Sequence, residues 1–311
     1  MPSSFKTGEV IPISNTLQLV GTVFAALFGL AFGSFLNVVI SRLPEGESIA
    51  TPRSHCRNCD HTLAWWENLP VLSWLLLRGR CRQCQTRISL RYPLVELAIA
   101  ILWAAIWNKF SEDLFVFDVY GDALRYRCLY VGITILDVGI LSWLLVALAS
   151  LDAEYFWLPD VLTYPGIVLG FIYTLASNQV GWCCKNVYSF RDVAWNSLIA
   201  ILTAAGLILV IRLAYWLIRR KEGMGLGDAK LMAMLGAWLG LRGALESFAL
   251  AIFGALIAAL VWLAILAIRR KSSQWAKMPL PLGTFLCLGA LTEIFYPNWL
   301  WTVWSHTFFN Y

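Results

Sequence analysis

Residues 225–268 read GLGDAKLMAMLGAWLGLRGALESFALAIFGALIAALVWLAILAI, 44 residues with four charges. Crossing roughly 30 Å of hydrocarbon takes about 20 apolar residues, so the run is long enough for two crossings. It divides at Leu241-Arg242-Gly243 into spans 225–241 and 244–268. The first is short. Ala229 to Leu241 gives about 20 Å of helix, too little unless Gly225, Leu226, Gly227 and Asp228 are drawn toward membrane depth. Irregular backbone is tolerated there only when buried in protein or lining a wet cavity, and an ionisable group at that depth is a functional candidate. The same criterion applied outward gives further spans at 16–41, 93–108, 129–151, 160–177, 195–218 and 281–301, about eight in all. The chain reads as an all-α polytopic membrane protein.

Composition agrees. Of 311 residues, 59% are hydrophobic and 14% charged, against roughly 25% charged in soluble domains. So little polar material cannot cover a globule in water. Sixteen Trp and eleven Tyr suit a protein anchored at two membrane–water interfaces. The first apolar run carries no cleavage-like site and should remain as an anchor. Basic residues set the orientation. The loop 42–92, the segment 219–230 and the segment 269–277 together hold 16 Lys and Arg, and the opposite side holds seven. The richer side is expected in the cytoplasm and both termini outside. The expected division is 1–41 (external terminus and first span), 42–92 (a cytoplasmic loop domain between the first two spans) and 93–311 (the remaining helices). Lipids are expected partners and nucleic acid is not.

Within that loop, Cys56-x2-Cys59 is followed after 21 residues by Cys81-x2-Cys84. Two such pairs can each form one knuckle of a tetrahedral thiolate site. The cytoplasm is reducing, which favours a metal over disulfides. A loop of about 50 residues lacks the core to fold on apolar burial alone, and a structural zinc would supply the deficit. His55 and His61 flank the first pair and could substitute as ligands. Cys128 and Cys287 read as apolar filler, and Cys183 and Cys184 carry no functional reading.

Two carboxylates stand out by position. Asp152 ends the third span, in LDAEYFWLPD, and Asp228 opens the sixth, in GMGLGDAKL. The topology puts both at the cytoplasmic edge, on different helices. Asp228 could equally serve as a helix cap and Asp152 as an ordinary interfacial charge. Asp160, after Pro159, reads as a cap. Asp137, inside the third span, is the chief rival for a place in the site. Two carboxyls held close share one proton, so one can take a proton from water while the other polarises a carbonyl. Gly225 and Gly227 lack Cβ and would let a second backbone approach.

These residues resemble the bacterial type IV prepilin peptidases, the leader peptidase/N-methyltransferases among the GxGD membrane aspartyl proteases. GSFLNVVISRLP (33–44) is similar to the family's opening motif, and Cys56–Glu96 resembles its cysteine domain. GMGLGDAKL carries its GxGD signature, and MPLPLGTFL (278–286) is similar to a late proline–glycine motif. The resemblance covers nearly the whole chain. It implies an aspartyl endopeptidase of the bacterial inner membrane, with Asp152 and Asp228 catalytic and Gly225, Gly227 and Lys230 supporting the site. Its substrates would be type IV prepilins or type II secretion pseudopilins, cut at the cytoplasmic face. It also implies N-methylation of the new terminus with S-adenosylmethionine, in which a Gly-Lys pair before the third Cys takes part. Here that pair is Gly79-Arg80, and Arg keeps the charge but not the shape or hydration of Lys. Glu154 and Tyr155 stand where many members have Asp and His.

Two other functional classes fit the sequence less well. A transporter with an intramembrane proton relay would favour inverted repeats and acids near the midplane, and neither is evident. A zinc-dependent assembly scaffold would need no GxGD run.

Overall fold

The computed structural model describes residues 15–111, 121–180, 189–220, 224–268, 280–299 and 302. Cys183, Cys184, the basic stretch 269–277 and the side chain of Cys128 lie outside them. Among the described residues are eight α-helices and no strand: α1 (Asn15–Arg42), α2 (Leu72–Leu76), α3 (Arg91–Ser111), α4 (Gly121–Tyr155), α5 (Asp160–Val180), α6 (Phe190–Arg219), α7 (Leu226–Ile268) and α8 (Leu282–Phe295). Six of them are long and apolar enough to cross a membrane, and the chain is a multi-pass membrane protein. Helix α7 holds two of the expected spans, and the 14-residue α8 begins the last. Many large apolar side chains face outward, among them Leu19, Phe24, Leu27 and Phe28 on α1. That surface is unfavourable in water and matched to lipid.

Two helices outrun their apolar windows. Helix α4 starts at Gly121 rather than 129, and α6 at Phe190 rather than 195. Hydropathy locates the hydrocarbon slab, whereas helical hydrogen bonding continues into the polar interface.

The chain forms two compact units, Met1–Trp143 with Val180–Asn186, and Leu144–Gln179 with Val187–Tyr311. In the first, α1 packs on α3 through glycine. A Cβ on Gly29 would lie 2.6 Å from Ala100 Cα, and one on Gly33 would lie 2.7 Å from Glu96 Cα. These glycines are one turn apart on α1, the small-xxx-small spacing that lets membrane helices touch backbone to backbone. Polar contacts fix the register: Thr22 Oγ1 lies 2.9 Å from Asn108 Oδ1, and Asn37 Nδ2 donates to Tyr92 O at 2.9 Å. The buried Arg42 guanidinium ends α1 by donating to the carbonyls of Ser48 and Pro52.

The second unit is built around the first half of α7. Residues 231–238 are buried without interruption, as expected of a helix that is apolar all round and lies inside protein. Helix α6 approaches closely at Gly236, where a Cβ would sit 2.7 Å from Ala200 O. From α5, Thr174 Oγ1 donates to Ala237 O at 2.9 Å, while Trp238 Nε1 donates back to Gly166 O at 2.7 Å. Gly240 (φ 69°, ψ 177°) then breaks the helix, a conformation open chiefly to glycine. The far part of the helix turns its apolar side chains outward, with Phe253, Leu256, Ile257 and Leu260 all more than half exposed.

Candidate active site and metal centre

Three helix ends of the second unit bring the aspartate site together. Asp152 lies in the last turn of α4, Asp228 in the first turn of α7, and Gly283-Thr284 in the first turn of α8. Asp152 is 6% exposed. Its Oδ2 accepts the Thr284 backbone N–H at 2.7 Å and the Thr284 hydroxyl at 3.1 Å. The same hydroxyl lies 3.1 Å from Ala149 O, one turn back on α4. Gly283 makes the approach possible, since a Cβ there would fall 2.9 Å from Asp152 Oδ2 and 3.0 Å from Leu158 Cδ1. Leu158 also fills the space beside Gly227, whose Cβ would be 3.0 Å from Leu158 Cβ.

Leu158 thus links the two helix starts: it meets Gly227, the neighbour of Asp228, and Gly283, which abuts Asp152. The two expected aspartates therefore come from different helices to one place, beside the start of a third helix, α8. Asp228 is the third residue of its helix and reaches back, its Oδ2 accepting the Gly225 N–H at 3.2 Å. That closes one orphan donor of the helix terminus. The capping and site readings of Asp228 are compatible, because this bond uses one carboxylate oxygen.

The other candidates separate. Gly227 meets the Leu158 side chain, whereas a Cβ on Gly225 would find nothing closer than 3.6 Å. Lys230 pairs with Asp160 at 2.5 Å, its ammonium 5.1 Å from the Tyr164 ring centre, tying the start of α7 to the start of α5. Asp160 thus spends its side chain on an ion pair rather than on capping its helix. Asp137 is buried but lies 15 residues before Asp152 on α4, about 22 Å of helical rise. Thr284 was missed by sequence reasoning. Its one signal is its place in the late proline–glycine motif, since a lone Thr in an apolar run has no periodicity to mark it.

The four loop cysteines also converge. Their Sγ atoms all lie within 4.8 Å of one another, with Cys56–Cys84 at 3.7 Å and Cys59–Cys81 at 4.0 Å. A tetrahedral ion with metal–sulfur bonds of about 2.3 Å needs sulfurs about 3.8 Å apart, so the cluster fits a metal ion. The two halves are built alike. Cys56 N–H donates to His61 O and Asp60 N–H to Cys56 O; Cys81 N–H donates to Thr86 O and Gln85 N–H to Cys81 O. Bridges close each knuckle at His55–Thr62 and Arg80–Arg87. Asp60 and Gln85, at matching positions, both take positive φ. Neither histidine joins the cluster: His55 Nδ1 is 3.1 Å from Arg53 O, and His61 Nε2 is 3.1 Å from Glu67 Oε2.

The thiols are electrostatically unequal. The Thr86 hydroxyl and backbone N–H hold Cys84 down to about 5. Against a downward pull from the His61 backbone, burial and hydrogen bonds to the other three thiols push Cys59 up to about 12. A bound cation would remove that conflict by favouring thiolate at all four. The spacer between the pairs is ordered by a 3-10 turn, Trp65–Asn68, and by α2. Buried Glu67 caps that turn, and the Ala64 N–H, with His61 and Arg82 nearby, holds its carboxyl below the usual range.

Comparison with known proteins covers both regions of the chain. Residues 27–110 match the Bacterial Peptidase A24 N-terminal domain, and residues 139–264 match the Type IV leader peptidase family. The chain is 35% identical to a prepilin leader peptidase/N-methyltransferase of Aeromonas hydrophila, over 85% of this chain and 86% of that protein. It is 34% identical to a type 4 prepilin-like proteins leader peptide-processing enzyme of Escherichia coli O78:H11, over 88% and 93%. A Myxococcus xanthus prepilin leader peptidase/N-methyltransferase is 36% identical over 70% of this chain and 56% of its own length. No solved structure matches. Two family models in order along the chain, and full-length relatives above 30% identity, make this chain a member of the type IV leader peptidase family.

Proposed function

We propose that the chain is a bacterial inner-membrane aspartyl endopeptidase. It removes the leader of type IV prepilins or type II secretion pseudopilins at the cytoplasmic face, then methylates the new N-terminus with S-adenosylmethionine. The observation carrying the protease reading is the convergence of Asp152 of α4 and Asp228 of α7 around Leu158, with Thr284 of α8 orienting the first. In hydrolysis one carboxyl takes a proton from the attacking water and the other, protonated, polarises the scissile carbonyl. Thr284 ties one oxygen of Asp152 and Gly225 one oxygen of Asp228, so each acid presents its remaining oxygen in a fixed direction. Gly225, on the exposed side of the α7 start, leaves room for an extended substrate backbone.

The tetracysteine centre would hold structural zinc through Cys56, Cys59, Cys81 and Cys84. Four thiolates close the coordination sphere, so the ion shapes the loop and leaves hydrolysis to the aspartates. The test is cleavage of a purified prepilin by the protein in detergent, read by mass. Asp152→Asn and Asp228→Asn each lower the rate about 100- to 10,000-fold. Cleavage at the wild-type rate in the double variant would reject the assignment. Labelled S-adenosylmethionine in the same reaction reads methylation on the new terminus.

A further inference from the structure

Residues 155–158 read Tyr-Phe-Trp-Leu, and of these four large apolar residues only the last turns inward. Tyr155, Phe156 and Trp157 are exposed and Leu158 is buried. Its neighbours explain the difference. A Cβ on Gly227 would lie 3.0 Å from Leu158 Cβ and 3.3 Å from its Cδ1, and one on Gly283 would lie 3.0 Å from the same Cδ1. Gly227 precedes Asp228 in the chain, and Gly283 precedes Thr284, which holds Asp152 Oδ2 through its N–H and its hydroxyl. One leucine therefore fills the room that two glycines leave, with one of the two aspartates beyond each glycine. We propose that Leu158 is a positioning residue that sets the spacing of Asp152 and Asp228, and that Gly227 is its seat rather than an opening for the substrate backbone. The inference rests on the protease reading above and adds the residue that holds the pair in register.

The backbone on either side makes Leu158 a fixed point. Before it, α4 ends on a left-handed cap. Phe156 takes φ 52°, and its N–H donates to Asp152 O at 3.0 Å, the bond of an αL terminus. After it, the Pro159 carbonyl accepts the N–H groups of Leu162 and Thr163, both at 3.1 Å, and opens α5. A residue before proline is confined to extended backbone. Leu158 is thus held between two finished helix ends, with little freedom to retreat when pressed. The pressure from a Cβ at 227 would fall on its stem, at Cβ, and not on a mobile tip. Gly283 cannot isolate this contact, because a Cβ there would also fall 2.9 Å from Asp152 Oδ2. Gly227 can, since the three atoms nearest its Cβ position all belong to Leu158.

That exclusive contact suits a double-variant cycle. The assay is initial-rate prepilin cleavage by the full-length protein in detergent, with kcat and KM resolved and the thermal midpoint as a fold control. Gly227→Ala is expected to lower kcat about 10- to 100-fold, the scale of a catalytic group displaced by about 1 Å, with KM within about threefold of wild type. Leu158→Ala leaves the gap unfilled and should also lower kcat, whereas Leu158→Met, which conserves volume, should stay within about threefold of wild type. In the double variant the truncation removes Cγ and both Cδ atoms, so the new Cβ at 227 can be accommodated. Its kcat is expected at least about fivefold above that of Gly227→Ala, where independent effects would multiply and place it below. Leu158→Cys, which drops only the two Cδ atoms, carries the same cycle if the alanine variant fails to fold. A double variant at or below Gly227→Ala, a Gly227→Ala defect confined to KM, or a Leu158→Ala enzyme with wild-type kcat and only a lower thermal midpoint would each overturn the proposal. Wild-type protein that does not cleave prepilin refutes the protease reading itself, whereas a wild-type enzyme that cleaves, with independent effects at 158 and 227, refutes the positioning role alone.

Discussion

Thr284→Val separates the two hydrogen bonds that orient Asp152. Valine keeps the size and β-branching of threonine and keeps the backbone N–H at 2.7 Å from Oδ2, so only the hydroxyl is lost. A hydrogen bond to a charged group contributes about 1.5–3 kcal/mol. This one is at the weak end, because the hydroxyl has a single proton and two acceptors at 3.1 Å, Asp152 Oδ2 and Ala149 O. Sharing leaves about 1–1.5 kcal/mol for the carboxylate, and 1.4 kcal/mol is tenfold in rate. We expect kcat/KM for prepilin cleavage to fall about 5- to 15-fold, with Thr284→Ser close to wild type. Thr284→Pro also removes the N–H, at a first-turn position where proline is tolerated, and should cost at least about 100-fold. The assay is initial-rate cleavage in detergent, with the thermal midpoint as a fold control. A Thr284→Val enzyme within twofold of wild type, or a Thr284→Ser enzyme as poor as valine, would refute the orienting role.

The metal centre predicts one zinc per chain by elemental analysis, and a strong chelator should expose the loop 43–90 to protease while leaving the helices intact. Cys56→Ser and Cys81→Ser, one from each knuckle, should each lower metal occupancy, and full occupancy in both would reject the four-thiolate site. Lys230→Met breaks a partly exposed ion pair with Asp160, which contributes about 0–1 kcal/mol. Cleavage is therefore expected within threefold of wild type, and a loss like that of Asp228→Asn would instead place the ammonium in the chemistry. Gly29→Leu puts a side chain where Ala100 Cα lies 2.6 Å from the new Cβ. Separation of α1 from α3 should appear as a drop in thermal midpoint that Gly132→Leu, beside open space, does not cause.

Much of this was legible because each signal was local. Hydropathy found every long helix, since the hydrocarbon slab imposes length and composition together. The shortness of 225–241 singled out 225–228 as the unusual stretch, whereas the uninterrupted burial of 231–238 had no mark of its own in the hydropathy. The CxxC pairs announced their knuckles because one backbone turn fixes each pair. Contacts between distant residues that obey no period stayed hidden. Thr284 meets Asp152 across 132 positions, and Gly29 meets Ala100 across 71. Lys230 stood next to the GxGD aspartate in sequence, yet its stem leads away to Asp160.

The break at Gly240 divides α7 into stretches with different neighbours, and so with different tolerance of change. On its N-terminal side nearly every side chain is enclosed by protein, and an added methylene must displace a partner. Well past the break, from Phe253 onward, most described side chains face outward, and there one greasy residue does about as well as another. Saturation mutagenesis along this helix should therefore show a step rather than a gradient, with strict size limits through Trp238 and wide aliphatic freedom from Phe253 onward.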